Sequence, residues 1–130
     1  MSARSRPYVL AAEENLLLQE VFERVLGAAG FEVTCVGDGD ALMAAMQARP
    51  PALVLLELIL PRMDGFECLR RIRSDPVLKD TPVVVITALT RDDHFETLQP
   101  LGVLAYVTKP FSPSALVRQL ETLGIQGTPT

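Results

Sequence analysis

Short, almost wholly apolar runs alternate along this chain with longer stretches in which apolar residues recur every three or four positions. "PYVLAA" (7–12) is the first run and reads as a strand. From Glu14 onward Leu18, Val21, Phe22, Val25, Leu26 and Ala29 share one helical face, and Gly30 stops that helix. "FEVTCV" (31–36) is a second strand. Asp38, Gly39 and Asp40 make a turn, and "ALMAAMQAR" (41–49) is a helix ended by Pro50 and Pro51. "LVLLE" (53–57) is a third strand, and a helix from Asp64 to Ser74 turns Phe66, Leu69 and Ile72 inward before Asp75 and Pro76 break it. "PVVVIT" (82–87) is a fourth strand, followed by a short polar helix over 91–98 that Pro100 ends. "GVLAYV" (102–107) is a fifth strand. Ser112 and Pro113 then open a last helix as N-cap and first-turn proline, with Leu116, Val117 and Leu120 inward.

The alternation is βα, five times over, with no internal repeat and no linker. Strands that are apolar at nearly every position are buried on both faces, which predicts a parallel sheet sandwiched between helices. The expected fold class is therefore α/β, a single doubly wound (βα)5 domain over residues 7–124. Residues 1–6 are expected to be a flexible segment and residues 125–130 a short, frayed tail.

Composition changes this picture little. Of 130 residues, 48% are hydrophobic and 22% charged, which is globular rather than disordered. No apolar run has the length of a membrane span, and the apolar stretch after the basic start is too short for a signal peptide, so a cytoplasmic protein is expected. Cys35 and Cys68 are too few for a disulfide framework and read as buried thiols. The net charge is −4, and the basic cluster Arg70, Arg71 and Arg73 reads as a solvated helix face, not a nucleic-acid site. His94 is the one histidine and no CxxC occurs, which excludes His-rich and paired-cysteine zinc sites.

Ligands of open α/β sheets bind beyond the carboxyl ends of the strands. Here those ends carry Ala12, Glu13 and Glu14, then Glu57, then Thr87 and Ala88, then Tyr106, Thr108, Lys109 and Pro110. Carboxylates, a hydroxyl and an ammonium converge on one rim, which suggests an anion or metal-linked phosphate site with Lys109 as its fixed cation. Glu57 is the oddity, a carboxylate ending a run of hydrocarbon. Burial of such a group is costly without a partner, and Lys109 and Thr87 are the candidates.

"LVLLELILPRMDG", "VVVITA" and "YVTKPF", at these spacings, resemble a response-regulator receiver domain over nearly the whole chain. The resemblance implies a flavodoxin-like sheet with strand order 2-1-3-4-5 and a non-enzymatic role in two-component signalling. In that family an aspartate ending the third strand accepts a phosphoryl group from a histidine kinase, and two acidic residues after the first strand hold Mg²⁺. The Ile59 position would give a backbone carbonyl to the metal. Thr87, Ala88 and Lys109 match the positions around the phosphoryl group, and Tyr106 matches an aromatic that turns inward when the site is occupied. A cis Lys109–Pro110 bond is also implied.

The departures fall on the chemistry. The acceptor position is Glu57, and the acidic pair is Ala12 and Glu13. Glutamate displaces its carboxylate by about 1.5 Å, whereas phosphoryl transfer depends on positioning and Mg²⁺ demands near-ideal geometry. Glu57 is then either a mimic of the phosphorylated state or a static ion pair with Lys109. Glu13 and Glu14 are either a residual metal site or, as favoured, solvated rim carboxylates. Tyr106 is a switch or a packed strand aromatic. Where dimerising members carry acidic residues before that aromatic, this chain has Leu104 and Ala105, which favours an apolar contact with a protein partner. The expectation is an atypical receiver that binds a histidine kinase or other signalling protein without phosphorylation. It would have no cofactor beyond weakly held Mg²⁺, no nucleic-acid or membrane contact through this domain, and an open oligomeric state. The alternative is a working, Mg-dependent receiver with a weakened site.

Overall fold

Side chains at successive positions of a strand point to opposite faces, so an all-apolar strand must be covered twice. The structure, a computed structural model, describes residues 6–128 and does this with five strands and five helices. They run β1 (Tyr8–Ala12), α1 (Leu16–Ala28), β2 (Glu32–Val36), α2 (Gly39–Ala48), β3 (Leu53–Leu56), α3 (Gly65–Ser74), β4 (Val83–Thr87), α4 (Arg91–Leu98), β5 (Ala105–Thr108) and α5 (Pro113–Thr122). The sheet has the order β2-β1-β3-β4-β5, with every pairing parallel. This is the predicted flavodoxin-like arrangement.

The period-two alternation sorts the core into two layers. Leu10, Val54, Leu56, Val83 and Val85 face α2 and α3, where they meet Leu42, Met46, Cys68, Leu69 and Ile72. Val9, Ala11, Leu53, Leu55, Val84 and Ile86 face α1 and α5, where they meet Phe22, Leu26, Leu116 and Leu120. Four helices start on a side-chain cap that accepts an orphan backbone N–H: Asn15 from Leu18, Asp38 from Ala41, Asp64 from Glu67 and Ser112 from Ala115. Among the described residues no helix is long and apolar enough to cross a membrane.

Several sequence expectations need correction. The fifth strand starts at Ala105, not at Gly102. Residues Gln99–Leu101 form a 3-10 turn containing Pro100, and Gly102 ends it at φ +66°, so Val103 and Leu104 are a lead-in to the strand. The third strand ends one residue before Glu57. Cys68 is buried, but Cys35 is only half-buried, with its thiol 3.6 Å from the Gln19 carbonyl. Burial pushes both thiols up to about 12, so both stay protonated and inert.

Residues 125–128, expected as a frayed tail, are hydrogen-bonded back to the fold. The Ile125 N–H donates to Leu120 O and the Thr128 N–H to Gly30 O, each at 2.9 Å. Residues 1–5 of the flexible segment expected at the amino end, and residues 129 and 130 of the tail, lie outside the described residues.

Arg73 also departs from the solvated-face reading. Arg70 and Arg71 do lie on an exposed face, paired with Glu67. Arg73 folds back instead and donates to four carbonyls, those of Lys79, Thr81, Leu101 and Gly102.

Candidate functional site

The rim is built where β1, β3, β4 and β5 run out of the sheet. Parallel pairing sets Ala12 of β1 opposite Leu56 of β3, and Thr87 of β4 opposite Thr108 of β5. The residues that follow these strands therefore emerge side by side. Glu57 still donates its N–H to Ala12 O at 3.1 Å, and Glu13 donates its own to Val36 O at 2.9 Å. Both backbones are fixed before their side chains leave the sheet.

Glu13, Glu57 and Lys109 converge. The Lys109 ammonium donates to Glu13 Oε1 at 2.5 Å and to Glu57 Oε1 at 2.7 Å. The second oxygen of each carboxylate is also engaged: Asn15 N–H donates to Glu13 Oε2 at 3.0 Å and Ile59 N–H to Glu57 Oε2 at 3.1 Å. Glu13 is 4% and Glu57 7% exposed. The expectation of a solvated Glu13 is therefore wrong, and only Glu14 is exposed. Burial alone would depress the ammonium, but hydrogen bonds to the two carboxylates outweigh it and hold Lys109 above the usual lysine value. The Lys109–Pro110 peptide bond is cis, as the resemblance implies.

The other named residues surround this triad without joining it. Thr87 is fully buried and its hydroxyl oxygen accepts the Leu89 N–H at 3.3 Å; the expected contact with Glu57 is not made. Ala88 is exposed and lines an apolar groove with Leu18, Val21, Pro110, Phe111 and Pro113. The Ile59 side chain is exposed, and its backbone enters the site through its N–H. Tyr106 is half-buried and its hydroxyl donates to Leu89 O at 2.7 Å. Burial raises the phenol's pKa, and the charges of Glu57 and Asp93 add to this.

A divalent ion is what the resemblance implies for this rim, and the donor set does not fit one. Ala12 offers a methyl group where an oxygen is needed. All four carboxylate oxygens already accept a hydrogen bond from the ammonium or from a backbone N–H. Among the described residues no three His, Cys, Asp or Glu side chains gather into a metal-holding group.

Sequence reasoning passed over three supports. Asn15 caps α1 and donates its own N–H to Glu13; an Asn just before an apolar helix was the visible signal. The Gln19 side-chain amide donates to the Glu13 carbonyl at 2.6 Å, one turn into α1, and no motif marks it. Gly65 donates its N–H to Leu58 O at 2.8 Å, and a Cβ there would lie 2.5 Å from Glu57 O and 2.6 Å from Leu58 Cα.

Gly65→Ala should thus push the Glu57–Leu58 backbone and cost about 2 kcal/mol by overpacking. Gly27→Ala, inside α1 with nothing within 4 Å of its Cβ, should instead be neutral or stabilising. Urea unfolding midpoints check the pair, and equal midpoints would defeat the argument.

Comparison with known proteins agrees with this architecture. The DNA-binding response regulator MtrA of Mycolicibacterium smegmatis is 35% identical over 117 residues, 88% of this chain and 49% of that protein. The chain thus spans about half the length of the curated relatives it matches. The phosphorylated cyanobacterial phytochrome response regulator RcpA superposes with a TM-score of 0.79 at 31% identity, over 92% of this chain and 91% of that one. The receiver domain of a sensor histidine kinase from Pseudomonas aeruginosa, solved with magnesium coordinated in its active-site cleft, superposes with a TM-score of 0.82 at 28% identity, over 92% and 99%. A family model described as the response regulator receiver domain matches residues 9–121, the span from the first strand into the last helix. The chain therefore belongs to the response-regulator receiver family of two-component signalling.

Proposed function

We propose that this receiver is a non-enzymatic protein-interaction module whose rim is held in one state by its own side chains and is not gated by phosphoryl transfer. The observation that carries the reading is Glu57. It stands at the phospho-acceptor position, and both of its carboxylate oxygens are engaged, one by Lys109 and one by the Ile59 N–H. A nucleophile must be placed in line with the phosphorus, and small errors of position are costly. Glu57 has the wrong reach, and a buried ion pair opposes its release. Thr87, Ala88 and Lys109 are the phosphoryl-contact equivalents in this reading, and Ala12, Glu13 and Ile59 the degenerate metal positions.

Tyr106 supports a fixed rather than a resting rim. It is tied to Leu89 O and packs with Leu89, Leu101 and Val103 against the core layer beneath α2 and α3. A tyrosine tied down in this way supports a rim that does not switch. Beside it, Phe95 and Leu104 are 44% and 42% exposed on the face made by α4 and β5. An apolar pair on that face suits a protein partner, a histidine kinase or another signalling protein, better than a nucleic acid.

A weakened working receiver is the second reading, favoured by the survival of Thr87 and Lys109 on the rim. Treatment with a small phosphodonor and Mg²⁺, read by intact mass, separates the two. No phosphoryl adduct is expected, and an adduct mapped to Glu57 would establish the second reading instead.

A further inference from the structure

The amino end of the sheet, opposite the rim, is crossed by residues 124–128. After α5 the backbone turns at Gly124, with φ +84° and nothing within 4 Å of its Cβ position. It then runs back over the turn between α1 and β2, where the Thr128 N–H reaches Gly30 O. We infer that residues 124–128 are a strap that opens and closes on this turn as a unit, hinged at Gly124 and caught where Gly127 meets Gly30, while the (βα)5 body stays folded.

The catch is backbone laid on backbone. A Cβ on Gly127 would overlap Ala29 O and lie 2.8 Å from Gly30 C. A Cβ on Gly30 would overlap Thr128 O and lie 2.7 Å from Thr128 N. Main chain cannot yield as the tip of a side chain can, so the closed strap needs glycine on both sides. Gly30 also needs it for its own φ of +96°. Gly127 has no positive φ, so only the closed contact requires a glycine there.

What holds the strap is modest beside what holds the sheet. Ile125 donates its N–H to Leu120 O, and its side chain is partly buried against the layer of Phe22, Leu26, Phe31 and Leu120. Gln126 is exposed. A segment with so little burial opens at a lower free energy than the strands it crosses. Closed, it borders one hollow with Ala29, Phe31 and Val117, and Phe31 is only 2% exposed. Opening would uncover the apolar end of the layer beneath α1 and α5. Glu13, Glu57 and Lys109 lie at the other end of the strands, so the rim keeps its ion pairs whether the strap is open or closed.

The experiment is amide exchange on the full chain as wild type, Gly127→Ala and Gln126→Ala, with urea unfolding of each. In an open segment, Gly→Ala is harmless and lowers the entropy of the loose chain. A loss of protection in Gly127→Ala therefore reports the closed contact. In wild type the Thr128 amide is expected to be protected, yet to exchange well ahead of Val54, whose N–H donates to Pro82 O inside the sheet. Gly127→Ala should quicken Thr128 by about tenfold or more, to the rate of an open chain, and still unfold cooperatively with Val54 protected. Gln126→Ala should behave as wild type. A wild-type Thr128 that exchanges as open chain, or only in step with Val54, overturns the inference. So does a Gly127→Ala that keeps Thr128 protected or fails to fold, and so does a Gln126→Ala that loses as much protection as Gly127→Ala.

Discussion

Glu57→Asp alone is expected to leave this receiver unmodified by a small phosphodonor, whereas Ala12→Asp, Glu13→Asp and Glu57→Asp together are expected to make it phosphorylatable. The single change shortens the side chain by one methylene, about 1.5 Å. It restores the depth of the nucleophile and frees the space that the Glu57 carboxylate fills beside Lys109. It does not restore charge stabilisation. The transferring group moves onto a carboxylate oxygen while its bond to the leaving oxygen breaks, and negative charge spreads over its equatorial oxygens. Loss of a cationic partner in such a step costs on the order of 10³–10⁵ in rate.

With Ala12 and Glu13 unchanged, no oxygen comes from position 12 and Lys109 remains bound to Glu13. The triple change supplies oxygens from two elements, and releases Lys109 to the position where Thr87 and Ala88 already wait. The readout is the fraction of protein carrying a phosphoryl mass after a fixed time with Mg²⁺. A single revertant that matches the triple would falsify the account of a rim disabled at both acceptor and metal.

The sheet could be read from the sequence because its rule is local. Each strand is apolar at consecutive positions and each helix at every third or fourth, so Val9 and Leu10 or Val84 and Val85 announce two buried faces with no knowledge of their neighbours. The rim could be read because strand ends are where ligands bind in such folds, and the order of the chain names the residues there.

What failed was set by distance along the chain. Glu13 looked like a solvated carboxylate because nothing near it in sequence is basic, and its partner is Lys109. The start of β5 was misplaced because Val103 and Leu104 are apolar like a strand, while the backbone at Gly102 is still completing a left-handed turn. Cys35 sits at a position of β2 that is only half covered, since β2 is an edge strand. Periodicity cannot tell an edge from a centre.

Arg73 is the largest of these failures, and its replacement by methionine should cost about 3 kcal/mol. In the sequence it is the third of three arginines on one polar turn. In the fold, Nε donates to Leu101 O at 2.6 Å, Nη1 to Lys79 O at 2.8 Å and Thr81 O at 2.7 Å, and Nη2 to Gly102 O at 3.1 Å. One guanidinium thus ties the end of α3 to the loop before β4 and to the turn before β5. Burial lowers its pKa, nearby Asp80 only partly opposes this, and an arginine remains charged well above neutral pH.

Hydrogen bonds from a charged donor contribute about 1.5–3 kcal/mol each. Two of the four carbonyls are exposed and would regain water, so the net loss is far below the sum. Arg73→Lys keeps the charge but not the planar fork, and should recover less than half of the loss. Arg70→Met is the control. Its pairing with Glu67 is exposed, and such pairs contribute about 0–1 kcal/mol. Urea unfolding ranks the three variants. Amide exchange at Leu104, whose N–H donates to Val83 O at 2.8 Å, should quicken in Arg73→Met and not in Arg70→Met. Equal losses from the two methionine variants would show that Arg73 is one more solvated arginine, and that the turn into β5 holds without it.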